Sequence, residues 1–189
     1  MSKITNTGAW NYMDYSLEQD LIDKAHLEKE LIDYLLPFIK EEKIFIDIGC
    51  GKGHYLHYLT TLISDVEFIG IEPLVSGIPG ILNYDLTIPF DLEKRGNVFC
   101  FEVLEHIDPM FEKIAIKNVV KHCNNYLFIS WAHEGQLGEG HINEKNKLEV
   151  INLFKKEEFK YLFEESEKAK SFCKAWWIQK NICIFKMIK

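Results

Sequence analysis

Long apolar runs are missing from this sequence. No uninterrupted apolar stretch approaches the roughly 20 residues that a helix needs to cross a bilayer. The first residues, Met1–Gly8, are mostly polar and contain no apolar core of the kind that a secretory signal carries. We therefore expect no membrane association and a cytoplasmic location.

Positive charge is also scarce. Lys and Arg number 22 against 29 Asp and Glu, which gives a formal net charge of −7. Nucleic-acid binding depends largely on cations that neutralise phosphates, so this balance disfavours a large nucleic-acid footprint. A small-molecule partner is compatible with it, and the oligomeric state stays open.

Paired cysteines are absent as well. The five cysteines stand at positions 50, 100, 123, 173 and 183, and no two of them have the spacing of a disulfide or metal motif. An odd, scattered set indicates reduced thiols, as in cytosolic proteins. The length of 189 residues and the apolar fraction of 47% are those of one globular domain with a sizeable core.

What the sequence does have is a short buried strand followed by alternate glycines. Ile44–Ile48 is an almost wholly apolar run of β-formers, typical of a parallel strand buried on both faces. Glycines follow at 49, 51 and 53, and then apolar residues recur with helical spacing. Strand, glycine turn and helix together indicate an α/β fold with a ligand at the carboxyl end of the strand.

Two familiar glycine turns are excluded. A phosphate-binding loop needs Ser or Thr after its Gly-Lys pair, whereas Lys52 is followed by Gly53. A dinucleotide fingerprint needs its third glycine at position 54, which is His54. A tight strand-to-helix turn without any ligand stays open as an alternative.

The pattern that remains is Asp47-x-Gly49-x-Gly51-x-Gly53. It resembles the turn of class I, Rossmann-like methyltransferases that binds S-adenosyl-L-methionine (AdoMet). The resemblance implies that the acidic residue ends the strand and that the glycines, with Cys50 between them, pass under the amino-acid part of the cofactor.

Later strand ends carry further residues of the same resemblance. Glu72 ends the second predicted strand and would hold the ribose hydroxyls of AdoMet. Asp85 would accept the exocyclic amine of adenine, and Leu86 would cover a face of the ring. Glu102 begins a Glu-Val-Leu-Glu-His segment, ending at His106, that runs beside the cofactor in small-molecule methyltransferases.

The resemblance also implies the architecture. We expect a three-layer α/β sandwich with a seven-stranded, mostly parallel sheet whose last strand is antiparallel and lies next to the fifth. The methyltransferase domain would span 41–189, and 1–40 would form a helical cover of the pocket, with a helix that starts after Ser16.

The implied chemistry is in-line transfer of a methyl group from AdoMet to O or N of a small-molecule or sugar-like acceptor. A long loop, 132–143, leaves the carboxyl end of the fifth strand. Because imidazole exchanges protons near neutral pH, His141 is the first candidate base and His133 the second, with Glu134 as an orienting group. The aromatic residues that favour a partly apolar acceptor are Trp10, Tyr12, Tyr15 and Trp131.

Two other functions stay open. RNA 2′-O-methyltransferases of the terminal-nucleotide type share the Glu-x-x-Glu-His segment, and there Glu102, Glu105, His106 and His141 would hold Mg²⁺ or Mn²⁺; we assign no metal ligand on this basis. A non-catalytic AdoMet-binding protein is the second alternative.

The chain after the loop predicts a further helix. Asn143 is expected to cap it, and the apolar residues expected on its buried side are Leu148, Val150, Ile151 and Phe154.

Overall fold

A computed structural model describes residues 5, 7–9, 27–74 and 77–188. The helix start predicted after Ser16 and the residues Trp10, Tyr12 and Tyr15 lie outside the described residues. Within the described ranges, no helix combines the length and the apolar character that spanning a membrane requires.

Helices and strands alternate along most of the described chain. The helices are α1 (Lys29–Ile39), α2 (His54–Leu62), α3 (Glu112–Lys121), α4 (Lys147–Lys156), α5 (Phe163–Lys170) and α6 (Trp176–Asn181), with a 3₁₀ turn at Leu104–His106. The strands are β1 (Ile44–Ile48), β2 (Glu67–Ile71), β3 (Ile81–Leu82), β4 (Gly96–Phe101), β5 (Cys123–Ser130), β6 (Phe159–Tyr161) and β7 (Cys183–Met187).

The seven strands form one sheet in the order β3-β2-β1-β4-β5-β7-β6. Every neighbouring pair is parallel except the two that involve β7, which runs antiparallel to β5 and β6. This confirms the predicted sheet. The strand order reverses between β1 and β4, and ligands of such sheets bind in the crevice outside the carboxyl ends of the strands at that point.

Two hydrophobic clusters cover the two faces of the sheet. One joins Ile46 and Val98 to residues of α3 and α4, and the other joins Phe45 and Phe99 to residues of α1, α2, α5 and α6. Successive residues of a strand point to opposite faces, so β1 contributes to both clusters. The predicted three-layer sandwich is therefore confirmed.

Helix α1 shares this core. Its inward side chains are fully buried in the same cluster as Phe45, and Pro37 lies in its last turn. The side-chain amide of Asn97 donates hydrogen bonds to the carbonyls of Phe38 and Ile39, at 2.9 and 3.0 Å. The end of α1 is thereby tied to the centre of the sheet.

The start of α4 differs from the prediction. Asn146 caps this helix, and it forms a reciprocal capping box with Glu149. Asn143 instead donates a side-chain hydrogen bond to Glu112 at 2.9 Å. Leu148 is 65% exposed, so its predicted burial is wrong. A tertiary partner therefore outweighs local capping preference at Asn143.

Candidate functional site

The turn after β1 has a backbone that needs glycine. Gly49, Gly51 and Gly53 have φ of +75°, +54° and +82°, a region that L side chains rarely adopt. The N–H groups of Gly49 and Cys50 donate to the carbonyl of Ile71, at 2.8 and 3.2 Å. These bonds hold the turn against the end of β2.

Gly49 also lies in close contact with the segment that follows β4. A Cβ at Gly49 would stand 2.2 Å from a methyl carbon of Val103. No side chain other than hydrogen fits there beside Val103, and Gly49 and Val103 both line the crevice at the ends of β1 and β4.

A cavity of about 100 Å³ opens at this point. It is lined by residues that follow β1, β2, β3 and β4, together with Thr7–Ala9 of the N-terminal segment. The predicted cofactor residues that line it are Gly49, Glu72, Asp85, Leu86 and Glu102. The register explains this convergence: Ile48 pairs with Ile71, so Gly49 and Glu72 come side by side where the strands end.

Glu72 is the most buried carboxyl group of the cavity wall, with 5% exposure. Its Oε2 accepts a hydrogen bond from the N–H of Gly51 at 3.1 Å. Burial, and then the charge of Asp85, raise the pKa of Glu72 to about 7, against the lowering effect of the Gly51 N–H. Its charge therefore changes near neutral pH.

Asp47 lies behind the cavity wall and is 3% exposed. Among the described residues, its Oδ2 has no hydrogen-bond partner. Burial, and then the charge of Glu72, raise the pKa of Asp47 to about 7. A buried acceptor without a partner is uncommon in folded proteins and suits a donor from a ligand.

The rest of the turn does not line the cavity. Cys50 is 8% exposed, and its thiol lies against Gly70, where an added Cβ would stand 2.6 Å from the sulfur. Burial raises the pKa of this thiol, which packs as an apolar side chain. The assignment of Cys50, Gly51 and Gly53 to a cofactor stays a prediction.

The segment after β3 is held by Asn118 of α3. The side-chain amide donates to the carbonyls of Leu86 and Ile88, both at 2.9 Å, and its oxygen accepts from the N–H of Phe90 at 3.2 Å. Asp85 accepts hydrogen bonds from the N–H and the hydroxyl of Thr87, at 2.8 and 2.7 Å. Asn118 is thus a positioning residue for this wall.

We expect Asn118→Ala to lower the free energy of unfolding by about 2–4 kcal/mol, because it removes the partners of three backbone groups, two of them in buried hydrogen bonds. Urea denaturation measures this change. Lys117→Ala is the matched control on the same helix; it breaks only an exposed ion pair with Glu157, which should cost at most about 1 kcal/mol. Equal destabilisation by both variants would contradict the role given to Asn118.

Glu102 turns the chain at the end of β4. It has φ of +54°, which is uncommon for a residue other than glycine and strains the backbone. Ser130 and Gln136 donate hydrogen bonds to its two carboxylate oxygens, the second at 3.1 Å. The carboxylate therefore links β4 to β5 and to the long loop.

The histidines take positions that the sequence did not distinguish. His106 lines the cavity, whereas His141 and His133 do not. His141 lies next to His106, with ring centroids 5.0 Å apart, and His133 contacts Gln136 and Lys180. Burial lowers the pKa of His106 to about 4, so this ring is neutral near pH 7. The sequence signal that could have placed His106 at the cavity was its position in the Glu-Val-Leu-Glu-His segment, which follows β4.

Comparison with known proteins adds independent information. A family model described as a methyltransferase domain matches residues 23–167. A protein of Invertebrate iridescent virus 6, provisionally named methyltransferase 235L, is 35% identical over 69 residues. That match covers 36% of this chain and 24% of the relative, so it spans about a quarter of the relative's length.

Solved structures share the fold at low sequence identity. One is magnesium protoporphyrin IX methyltransferase from Synechocystis PCC 6803, solved with bound S-adenosylhomocysteine. It is 14% identical with a TM-score of 0.61, and the match covers 94% of this chain and 91% of that chain. An amino pentose methyltransferase from Micromonospora echinaspora is 12% identical with a TM-score of 0.65, over 92% and 98%. Because the family model matches well over half of the chain and the sheet order agrees, this protein belongs to the methyltransferase domain family and has the class I, Rossmann-like fold.

Proposed function

We propose that this protein is an AdoMet-dependent methyltransferase that acts on O or N of a small-molecule or sugar-like acceptor. The observation that carries the proposal is the buried Glu72 beside the bare backbone of Gly49, in a cavity at the reversal of the strand order. The Glu72 carboxylate can accept hydrogen bonds from ribose hydroxyls, and the amino-acid part of AdoMet can lie against the neighbouring backbone of Gly49.

The charges of the cavity favour the same cofactor. Three carboxyl groups line it, those of Glu72, Asp85 and Glu102. AdoMet carries a sulfonium and an ammonium group, and an acidic cleft concentrates cations of this kind. Oδ2 of Asp47, which has no hydrogen-bond partner in the part of the chain that the structure describes, offers a further acceptor behind the turn.

Each wall residue then has a task in binding. Glu72 accepts the ribose hydroxyls, Asp85 accepts the amine of adenine, and Leu86, which is 6% exposed, covers one face of the ring. Thr7–Ala9 also line the cavity, which supports the assignment of 1–40 as a cover. AdoMet supplies an activated methyl group, so the protein's main contribution is positioning, which can supply up to about 7–11 kcal/mol.

The acceptor side lies toward Glu102 and the long loop. The solved relatives named above act on a porphyrin and on an amino pentose, by their names, and these are small molecules. His141 and then His133 are proposed as bases for an acceptor that must lose a proton. Their neighbours Glu144 and Gln136 fix the orientation of each ring, at 3.0 and 2.9 Å.

Calorimetry with S-adenosylhomocysteine (AdoHcy) tests the proposal. We expect saturable binding of one AdoHcy per chain; a chain that binds neither AdoHcy nor AdoMet would contradict the proposed function. A screen with methyl-labelled AdoMet separates the alternatives: label in small RNA would favour the RNA methyltransferase, and binding without turnover on any acceptor would favour the non-catalytic protein.

The affinity for AdoHcy should rise with pH through about 7. Ribose hydroxyls are donors and prefer the ionised Glu72, so binding below its pKa of about 7 must release a proton. Each pH unit below 7 should weaken binding by up to about tenfold. Titrations near pH 6 and pH 8 measure this change, and stronger binding at the lower pH would contradict it. Glu72→Gln should reduce the pH dependence of the binding that remains, to the part that Asp47 contributes.

A further inference from the structure

Helix α6 brings a group of side chains to the acceptor side of the cavity. Strand β7 follows this helix and runs antiparallel to β5, with Cys183 opposite Ile129. The start of β7 therefore lies at the carboxyl end of β5, the edge of the sheet from which the loop 132–143 leaves. Asn181, the last residue of α6, donates a side-chain hydrogen bond of 2.7 Å to Gln136 of that loop. Helix and loop are thereby joined at this edge.

The side chain of Gln136 connects Glu102 to His133. Its amide nitrogen donates to Glu102 at 3.1 Å, so its oxygen is the acceptor for Nδ1 of His133 at 2.9 Å. Nδ1 of His133 therefore carries the proton, and the lone pair of the ring lies on Nε2. Because Glu102 lines the cavity, a chain of two hydrogen bonds leads from the cavity wall to His133.

Lys180 extends this chain at Nε2 of His133. The ammonium group has three N–H donors, and it contacts this nitrogen with one of them. Within residues 27–74 and 77–188, Lys180 has no carboxylate partner and no other polar contact, and its side chain is exposed. Two donors of this cation are therefore available to an anion.

An exposed indole lies beside this cation. Trp176 stands four residues before Lys180, so the two side chains share one face of α6. The ring of Trp176 is nearly perpendicular to that of His133, with centroids 6.3 Å apart, and it is 56% exposed. Tryptophan is highly buried on average, so an indole this exposed offers an apolar surface to a ligand.

We propose that Trp176, Lys180 and His133 form a subsite for an oxyanion group of the methyl acceptor, a carboxylate or a phosphate on a planar or sugar-like body. This proposal names the acceptor class and rests on the proposed function. An ammonium group binds an oxyanion as a point charge, and the indole covers the body that carries it. The three carboxyl groups that line the cavity repel the same oxyanion, which favours one orientation of the acceptor.

The subsite also controls His133. Lys180 engages the lone pair on Nε2 in the structure. An oxyanion that draws the ammonium group toward itself releases this lone pair, so His133 becomes available as a base only when such an acceptor is bound. Lys180 is thereby a specificity-determining residue.

Titration of the AdoHcy-saturated protein with small aromatic probes tests the subsite, with the backbone amides of α6 followed by ¹⁵N NMR. Benzoate probes the carboxylate, phenyl phosphate probes the phosphate, and benzyl alcohol is the neutral control. We expect at least one acid to bind at least about fivefold more tightly than benzyl alcohol, because only the acids gain a charge-assisted hydrogen bond. The acid that binds more tightly identifies the group.

Substitutions on the exposed face of α6 assign the binding to its side chains. Lys180→Gln should bring the acids to within about twofold of benzyl alcohol, because the charge is lost. Trp176→Ala should weaken all three probes by at least about threefold, and Trp176→Phe, which keeps a ring, should recover part of this loss. Lys174→Gln is the matched control; Lys174 forms an exposed ion pair with Glu30 at 2.6 Å, and this variant should bind the probes as the wild type does.

Equal affinity for the acids and benzyl alcohol, or an unchanged preference for the acids in Lys180→Gln, would overturn the subsite. If AdoHcy binds and neither acid does, the proposed function stands and the subsite falls. If AdoHcy does not bind but an acid binds through Lys180, the proposed function falls, and an anion site without a methyl acceptor remains.

Discussion

Glu72→Gln should weaken AdoHcy binding by at least about 100-fold, because the ribose hydroxyls lose a charged acceptor and each such hydrogen bond contributes about 1.5–3 kcal/mol. Glutamine can still accept the hydrogen bond from Gly51, so the turn should keep its shape. Calorimetry on wild type and variant measures the loss.

The same substitution should stabilise the ligand-free protein. The pKa of Glu72 is raised from 4.5 to about 7 on folding, so its favourable contribution is complete below pH 4.5 and is lost as pH rises through about 7. Near pH 8 the neutral variant should therefore be more stable than the wild type by about 2–3 kcal/mol, and the gain should vanish near pH 4. Urea denaturation at both pH values measures it.

Glu67→Gln is the matched control for both effects. Glu67 begins the same strand, is half-exposed, and forms an ion pair with Lys94. We expect it to change neither AdoHcy binding nor stability by more than about 1 kcal/mol. If Glu72→Gln bound AdoHcy as tightly as Glu67→Gln does, Glu72 would not be the ribose acceptor.

Gly49→Ala should have the second largest effect. The new methyl group would meet Val103 at 2.2 Å, and the φ of +75° strains any L residue. Overpacking costs about 1–3 kcal/mol, and the left-handed backbone adds about 1–2 kcal/mol. We expect a loss of about 2–5 kcal/mol in the free energy of unfolding. AdoHcy binding should weaken at least about tenfold, because Val103, which lines the cavity beside Gly49, must move.

Gly77→Ala separates the two causes. Gly77 has a φ of +77°, but no atom of the described residues lies within 4 Å of an added Cβ, so we expect the backbone strain to apply without a steric contact. Its cost should be about 1–2 kcal/mol, with AdoHcy binding unchanged. The double variant Gly49→Ala with Val103→Ala should recover part of the lost stability. If Gly49→Ala and Gly77→Ala lowered the free energy of unfolding equally, the contact with Val103 would not contribute to the cost.

The sequence was sufficient to predict which residues meet at the cavity where they depend on backbone conformation and on strand ends. Alternate glycines mark positions that need positive φ, and Gly49, Glu72, Asp85 and Glu102 follow parallel strands, whose carboxyl ends the sheet brings to one edge. These signals are local in the sequence. Glycine is marked by the positive φ that it allows, and the acidic residues are marked by their position after a strand.

Side-chain direction was harder to predict. Asn143 has a residue type that suits a helix cap, but its side chain bonds to the distant Glu112, and Asn146 caps α4 together with Glu149. His106, in the 3₁₀ turn at Leu104–His106, lines the cavity, whereas His141 lies beside it without lining the cavity. Such outcomes depend on partners distant in the chain, which a linear pattern does not contain.

A crystal structure with AdoHcy bound is the most direct measurement of the central claim. We expect both ribose hydroxyls within hydrogen-bond distance of the Glu72 carboxylate, with the homocysteine part over the backbone of Gly49. A nucleoside that occupies another site, or a ribose turned away from Glu72, would contradict it.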